Sequence, residues 1–216
     1  MKTDQFLISR NTQAQRQDGQ RLVLFKSLLQ PHFLFNSLNN LYALSLRESD
    51  QTPDAIAGLS RMLERVVGFS RREMISLAEE VDLIRDYISL EKIWLGELAF
   101  MLDFQVKGDV NSVSIPPLAI YTLIENAFKH GIRKCQKPGW ITIQVVVKQD
   151  KVLLKIRNSI ESSYEETAEN SILGTGLGIE AVNSLLEDCF HKSYFLDARS
   201  LGDVYAVDLI IGRGAA

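Results

Sequence analysis

The stretch with the clearest chemical potential starts at Leu29 and reads Leu-Gln-Pro-His-Phe-Leu-Phe-Asn. Apolar residues recur at three- and four-residue steps on both sides of it, which predicts one amphipathic helix over roughly residues 14 to 47. Pro31 lies inside that helix, where a proline removes a backbone hydrogen bond at a cost of about 3 kcal/mol. His32 and Asn36 are four residues apart and share a face, so the amide could orient the imidazole or hold a phosphoryl group. From these residues alone, His32 is either a reactive imidazole or a partly buried packing residue.

A second group of polar side chains lies within the run Leu-Ile-Glu-Asn-Ala-Phe-Lys-His-Gly at 123–131. On a helix, Leu123, Ile124 and Ala127 can face a sheet. The other polar side chains then share a ligand-facing side, namely Glu125, Asn126, Lys129 and His130. An amide oxygen can coordinate Mg²⁺, which prefers oxygen ligands and bridges nucleotide phosphates, and Lys129 and His130 can offset phosphate charge. The alternative is a solvated helix face without a ligand.

A glycine-rich turn, Gly174-Thr175-Gly176-Leu177-Gly178, opens a helix predicted from about Ile179 to Phe190. Glycines let backbone amides approach an anion closely, and a helix N-terminus presents free N–H groups to phosphate. Such turns also precede many helices for conformational reasons only, so this signal is weak alone.

The three runs together resemble one protein family. Residues 31–39, Pro-His-Phe-Leu-Phe-Asn-Ser-Leu-Asn, look like the phosphoacceptor segment of the LytS-type sensor histidine kinases, and residues 86–93 again resemble that family. Residues 123–131 are similar to the asparagine box of the GHKL ATPase and kinase superfamily. The glycine-rich turn matches the end of that superfamily's lid in order and distance. The resemblance covers most of the chain from 29 to 212.

The resemblance implies an ATP-dependent protein-histidine kinase of a two-component system. His32, with Asn36, would take the phosphoryl group from Mg-ATP and pass it to an aspartate of a response regulator, typically one with a LytTR DNA-binding domain. Asn126 would hold Mg²⁺. The residues implied in nucleotide binding are Glu125, Asn126, Lys129, His130, Gly131, Asn158, Gly174, Thr175, Gly176, Leu177 and Gly178.

The chain departs from the family pattern at three positions. Asn158 stands where the family commonly has an aspartate that accepts a hydrogen bond from the adenine amino group; its amide oxygen can still accept, without a charge. Ile160 replaces the usual glycine. Phe33 follows His32, where many histidine kinases have an acid that takes the ring proton, so the general base is unassigned. Two alternatives follow: a degenerate kinase-like signalling module, and a GHKL ATPase in which Glu125 activates water and His32 has no role.

The elements that must position these residues are helices first and strands later. Thr52 is predicted to cap a second helix that has Pro53 at its first position and an apolar stripe from Ile56 to Val67, with Arg61, Glu64 and Arg65 opposite. Ser76 and Glu79 form a predicted capping box at the start of a third helix, whose buried face is Val81, Ile84, Ile88 and Leu95.

The second half of the chain alternates strands with helices. The predicted segments are a strand from Leu98 to Val106, a helix from about Leu118 to His130, a hairpin of Ile141–Lys148 with Val152–Asn158, and a closing hairpin of Ser193–Arg199 with Val204–Ile211. The polar stretch from Glu161 to Ser171 is expected to be mobile and solvated.

These elements predict an α+β protein in two parts. Residues 1–95 would hold a connector helix over about 1–20 and a helical hairpin for dimerisation and histidine phosphotransfer, and 96–216 would form a GHKL-type α/β sandwich ATP-binding domain. A two-helix hairpin buries too little area to be stable alone, so two copies are expected to pair into a four-helix bundle, which makes the protein a homodimer.

Composition narrows the function classes. A hydrophobic content of 46% with 24% charged residues is typical of a globular protein, and the net charge of -3 argues against a nucleic-acid binder. Cys135 and Cys189 have no metal-ligand spacing. The sequence has no apolar run of membrane-spanning length and its first 20 residues are too polar for a signal peptide, so we expect a soluble, cytoplasmic chain. The family resemblance implies that the natural protein continues upstream into spans of a bacterial inner membrane.

Overall fold

The computed structural model describes residues 31–96, 99–135, 137–149, 151–161 and 177–212. The helices are α1 (Pro31–Leu46), α2 (Thr52–Phe69), α3 (Leu77–Leu95), α4 (Ala119–His130) and α5 (Leu177–Phe190). The strands are β1 (Ile75–Ser76), β2 (Phe100–Lys107), β3 (Ser114–Ile115), β4 (Gly139–Lys148), β5 (Lys151–Ser159), β6 (Tyr194–Leu201) and β7 (Val204–Gly212). Short 3-10 turns at Val110–Ser112 and Ile132–Lys134 complete the described chain. The predicted α+β class is confirmed.

The first two helices are joined by the short segment 47–51 and contact each other. One face of α1 packs on the core through Phe33, Leu41 and Leu44. The other face exposes large apolar side chains, namely Phe35, Leu38, Tyr42 and Leu46. The predicted connector helix and the part of the long helix before Pro31 lie outside the described residues. Among the described residues, no helix combines the length and the apolar composition needed to cross a bilayer.

The start of α2 corrects one prediction. Gln51, not Thr52, occupies the cap position; it makes no side-chain capping bond, and the helix begins at Thr52 with Pro53 as its second residue. The Thr52 hydroxyl is instead buried, and within the described part of the chain it makes no hydrogen bond. The start of this helix therefore has a proline in its first turn and no side-chain capping bond.

The apolar stripe of α2 is narrower than predicted. Ala55, Leu59, Met62, Val66 and Phe69 are buried, but Ile56 and Val67 are 50% and 61% exposed. Helix α3 covers α2 from one side only. On that side, the Nε atoms of Arg61 and Arg65 donate hydrogen bonds to Asp86 of α3 at 3.2 and 3.1 Å. The expectation that these arginines lie opposite the packed face was wrong because it left out this long-range acid.

The start of α3 is the predicted capping box. The Glu79 N–H donates to Ser76 Oγ at 3.2 Å, and the Ser76 N–H donates back to Glu79 Oε2 at 2.9 Å, so two N–H groups without intrahelical partners are satisfied. Of the predicted face, Val81, Ile84 and Ile88 are buried and Leu95 is half-buried. The apolar side chains of this face belong to the same hydrophobic core as the buried side chains of the sheet.

The main sheet has the strand order β2-β4-β5-β7-β6, in which β2 and β4 are parallel and the other pairs antiparallel. The β4–β5 hairpin and the closing β6–β7 hairpin form as predicted. Side chains alternate between faces, and the buried positions of β4, β5 and β7 line up across the ladder under α4 and α5. A separate antiparallel pair, β1 with β3, holds the residues that precede α3 next to the residues that precede α4.

Candidate active site

Helix α4 carries the largest set of predicted site residues. It begins after Pro116 and Pro117, with Leu118 at its cap in the left-handed backbone region at φ 66°. Its buried face includes Leu123, Ile124 and Ala127. The remaining positions are split as the helical period predicts: Glu125, Asn126 and His130 are half-buried and Lys129 is exposed.

Asn158 is placed at this helix by the alternation of strand β5. Positions 152, 154 and 156 are buried on the helix-covered face, and residue 158 continues that series with an exposure of 0%. Its Nδ2 donates to the Ser159 carbonyl oxygen at 3.0 Å. Its Oδ1 is buried and has no hydrogen-bond partner within the described residues. Because a buried acceptor without a donor costs about 1–3 kcal/mol, this oxygen is suited to a ligand that brings an N–H group.

Gly131 lies directly against Asn158. A Cβ at position 131 would overlap Asn158 Nδ2 and would stand 2.6 Å from the Ala127 carbonyl oxygen and 2.9 Å from that of Ser159. Only glycine fits where the end of α4 meets the end of β5. The close contact between these two elements therefore depends on the missing side chain of Gly131.

A small pocket lies at this junction, lined by Asn126, His130, Gly131, Ile160 and Tyr205. Ile160, which replaces the usual glycine, contributes an apolar wall. Tyr205 of β7 was not predicted. It pairs with Asn158 across the ladder, so the register of the two strands was the signal that could have found it.

The end of the glycine-rich turn reaches the same helix. A Cβ on Gly178 would lie 3.2 Å from Asn126 Nδ2 and 3.4 Å from Thr122 Cγ2, which places the first turn of α5 against Asn126. Gly174, Thr175 and Gly176 lie outside the described residues, as does the side chain of Leu177, and so does most of the stretch from 161 to 171. Segments around 126, 158 and 178 thus converge from three separate parts of the sequence.

The titration of His130 departs from the sequence expectation. Burial, followed by the charges of Lys129 and Lys134, lowers the pKa of His130 to about 4. The ring is therefore neutral at pH 7 and contributes a hydrogen-bonding group, rather than a positive charge that offsets phosphate. Burial also raises the pKa of Glu125, against the opposing charges of Lys129 and Arg133.

The predicted phosphoacceptor pair lies on a different element. His32 and Asn36 both belong to α1, four residues apart on one helix, and Asn36 is exposed. The side chain of His32 lies outside what the structure describes.

A magnesium ion would find few protein ligands here. No group of three or more His, Cys, Asp or Glu side chains in the described segments could hold a metal. Mg²⁺ commonly uses one or two protein ligands together with waters and substrate phosphates. The half-buried Asn126 amide in the pocket wall fits that donor set.

Two acids of α3 were missed by the sequence analysis. Glu80 and Glu91 are both fully buried, and both contact the segment that carries α4. Glu91 follows Ile84 and Ile88 in the apolar stripe at helical spacing. A carboxylate on a buried face was the available signal, because such a group requires a partner.

Comparison with known proteins places the chain in a family. A family model described as Histidine kinase matches residues 20–99. Sensor histidine kinase YpdA of Escherichia coli (strain K12) is 32% identical over 158 residues, covering 71% of this chain and 28% of that protein. Sensor histidine kinase/phosphatase LytS of Staphylococcus aureus (strain MRSA252) is 28% identical over 188 residues, covering 79% of this chain and 30% of that protein. This chain thus spans about 30% of the length of these relatives.

One solved structure aligns with about two thirds of this chain. The catalytic domain of histidine kinase ThkA aligns at a TM-score of 0.49 and 17% identity, covering 66% of this chain and 99% of that chain. The family-model match, the sensor-kinase relatives and the acceptor segment 31–39 agree: the chain belongs to the LytS-type sensor histidine kinase family.

Proposed function

We propose that this chain is the kinase core of a two-component sensor, which phosphorylates His32 from Mg-ATP. One observation carries the proposal: Asn126 of the asparagine-box helix lines a small pocket at the end of β5 and also lies against Gly178 of α5, while Asn158 of β5 keeps an unpaired buried acceptor. Neither a solvated helix face nor a conformational glycine turn requires this convergence.

The base of the nucleotide is assigned to the Asn158 end of the pocket. Asn158 Oδ1 would accept a hydrogen bond from the adenine amino group, and Gly131 lines the pocket beside it. Ile160 and Tyr205 offer the apolar surface that an aromatic base requires. The neutral amide replaces a carboxylate in this role, and its Nδ2 is already held by the Ser159 carbonyl oxygen.

The phosphates are assigned to the Asn126 end. Asn126 would hold Mg²⁺, and backbone N–H groups of 174–178 at the start of α5 would contact phosphate oxygens. Mg²⁺ held there would supply positive charge against the charge that develops on the transferring phosphoryl group. Lys129 adds an exposed positive charge and His130 lines the pocket, while Glu125, which is not part of that lining, remains a proposed contact of the nucleotide.

His32 is the proposed nucleophile. A ring nitrogen forms the bond to the γ-phosphorus while the bond from that phosphorus to the bridging oxygen breaks, so ADP leaves and residue 32 becomes phosphohistidine. Asn36, on the same face of α1, would orient the ring. The phosphoryl group then passes to an aspartate of a response regulator, for which a LytTR-type protein is proposed from the family resemblance.

The assembly is proposed to be a homodimer within a larger sensor. The division at residue 95 into a hairpin region and an ATP-binding domain is retained as a proposal. The exposed apolar faces of α1 and α2 support pairing of two hairpins into a four-helix bundle. Anchoring of the full-length sensor to the bacterial inner membrane is also proposed, with this portion on the cytoplasmic side.

The test is incubation with γ-labelled ATP. Wild type should acquire an acid-labile label, and His32→Gln should acquire none while nucleotide binding is retained. His191→Gln is the matched control, because His191 is an exposed histidine beyond α5. Label on the His32 variant would refute the assignment, and phosphate release without labelled protein would favour the ATPase alternative.

A further inference from the structure

The N-terminus of α4 is capped by a residue from another helix. Glu80 of α3 is completely buried and accepts hydrogen bonds from the N–H groups of Leu118, Ile120 and Tyr121 at 3.0, 3.1 and 3.0 Å. These amides lie at or before the first turn, where a helix provides no partners of its own. The cap position, Leu118, has no side-chain acceptor to offer. The start of α4 is therefore held by α3.

The other end of α4 is held by a second acid of α3. Arg133, in the turn that follows Gly131, donates from Nη2 and Nε to the Glu91 carboxylate at 2.5 and 3.1 Å. Between the two acids, Tyr87 packs edge-to-face on Tyr121 and Phe128, with ring centroids 5.2 and 5.5 Å apart. Helix α3 thus contacts the asparagine-box segment at both ends and in the middle.

The opposite side of α3 is tied to the hairpin. Asp86 accepts from both Arg61 and Arg65 of α2. The two helices also approach closely, since a Cβ on Gly58 would lie 3.3 Å from Leu90 Cδ2. One helix therefore connects the element that packs on α1 with the element that carries Asn126.

We propose that α3 is a coupling helix. Glu80 and the Glu91–Arg133 pair position α4 for nucleotide binding, and the hydrogen bonds of Asp86 make the position of α3 depend on the position of the hairpin. This rests on the proposed function. Apolar side chains would join α3 to α4 without the cost of desolvating charges, whereas buried ion pairs are best attested as devices that set register. Asn126 and Gly131 both lie between the two attachment points, so a shift of α3 would move them relative to Asn158. Glu91 and Arg133 are positioning residues.

The test separates stability from positioning in the full chain. Replacing the pair with Glu91→Met and Arg133→Met together exchanges it for apolar packing, so the thermal midpoint should stay close to wild type. Calorimetric affinity for Mg-ATP should nevertheless fall about tenfold, because misplaced binding groups lose binding energy. Glu91→Gln, which keeps the shape, is the second variant and should lose affinity in the same direction. Wild-type affinity in either folded variant would overturn the positioning role.

The hairpin connection is tested by Arg61→Gln with Arg65→Gln. Mg-ATP affinity should be unchanged, while the initial rate of label transfer to His32 should change about fivefold or more. Arg85→Gln is the matched control, because Arg85 pairs with Asp82 of its own helix at 3.2 Å, and it should leave the rate unchanged. An unchanged rate in the double variant would overturn the coupling. If wild type itself takes no label, the proposed function fails, whereas the Mg-ATP affinities of the Glu91 variants still decide the positioning role.

Discussion

Gly131 and Asn158 are in contact so close that residue 131 has no room for a side chain. Gly131→Ala should therefore push the end of α4 away from β5, lower the free energy of unfolding by about 1–3 kcal/mol and weaken nucleotide binding. Denaturant unfolding and calorimetry measure the two effects. Gly68→Ala is the control, since nothing lies within 4 Å of a Cβ there and alanine favours a helix. Equal behaviour of the two variants would contradict the close contact.

Variants of Asn126 and Asn158 should distinguish binding of the phosphates from binding of the adenine base. Asn158→Ala should weaken Mg-ATP and adenosine alike by about tenfold, the worth of one hydrogen bond, because both carry the adenine amino group. Asn126→Ala should weaken Mg-ATP more than adenosine, because only the former brings a metal. Titration calorimetry with both ligands gives the four affinities. If wild type binds no adenine nucleotide at millimolar concentration, the degenerate-module alternative takes over.

Asn158→Asp provides a further test of why this chain has an amide. The carboxylate would face the Ser159 carbonyl oxygen, which now accepts from Nδ2 at 3.0 Å, so two oxygens would be opposed. We expect a loss of stability of about 1–3 kcal/mol in denaturant unfolding at neutral pH. A variant as stable as wild type would show that this amide contact contributes little.

Glu80 should make stability depend on pH. Burial raises its pKa from 4.5 to about 7, against the lowering effect of the three N–H groups. The folded chain then binds this proton more tightly than the unfolded chain, so the free energy of unfolding falls as pH rises from about 4.5 to about 7. Glu80→Gln cannot titrate, and its stability relative to wild type should rise by about 1–3 kcal/mol between about pH 4 and about pH 8. A difference independent of pH would contradict the raised pKa.

The homodimer prediction is tested at the exposed face of α1. Leu38→Glu should disrupt pairing of the hairpins, because Leu38 lies among Phe35, Tyr42 and Leu46 on a face that no described element covers. Met101→Glu, at a more exposed apolar position on β2, is the matched control and should remain dimeric. Light scattering at tens of micromolar reports the mass. A monomeric wild type would count against the bundle.

Local patterns predicted the elements well. The Ser76–Glu79 capping box and the β4–β5 hairpin depend on residues within a few positions of one another, and backbone geometry determines their form. The limits of α4 likewise follow from Pro117 before it and Gly131 after it. The same local reasoning assigned the cap of α2 to Thr52. The cap position is Gln51 instead, because Pro53 is also compatible with the second position of a helix.

Long-range contacts decided which side chains do what. The helical period grouped Ile56 and Val67 with the buried stripe, but the position of α3 leaves both exposed and recruits Arg61 and Arg65 instead. A period identifies a face; it does not identify how much of that face a neighbour covers.

The sequence by itself determined the family, the α+β class and the chemical types gathered around Asn126. The tertiary structure alone decided that Asn158 keeps an unpaired oxygen, that Tyr205 lines the pocket and that Glu80 and Glu91 hold α4. The physical reason is the distance along the sequence over which each kind of interaction acts. Helix and strand periods arise from neighbouring dihedral angles, whereas the partner of a buried polar group is chosen by the packing of elements that are tens of residues apart.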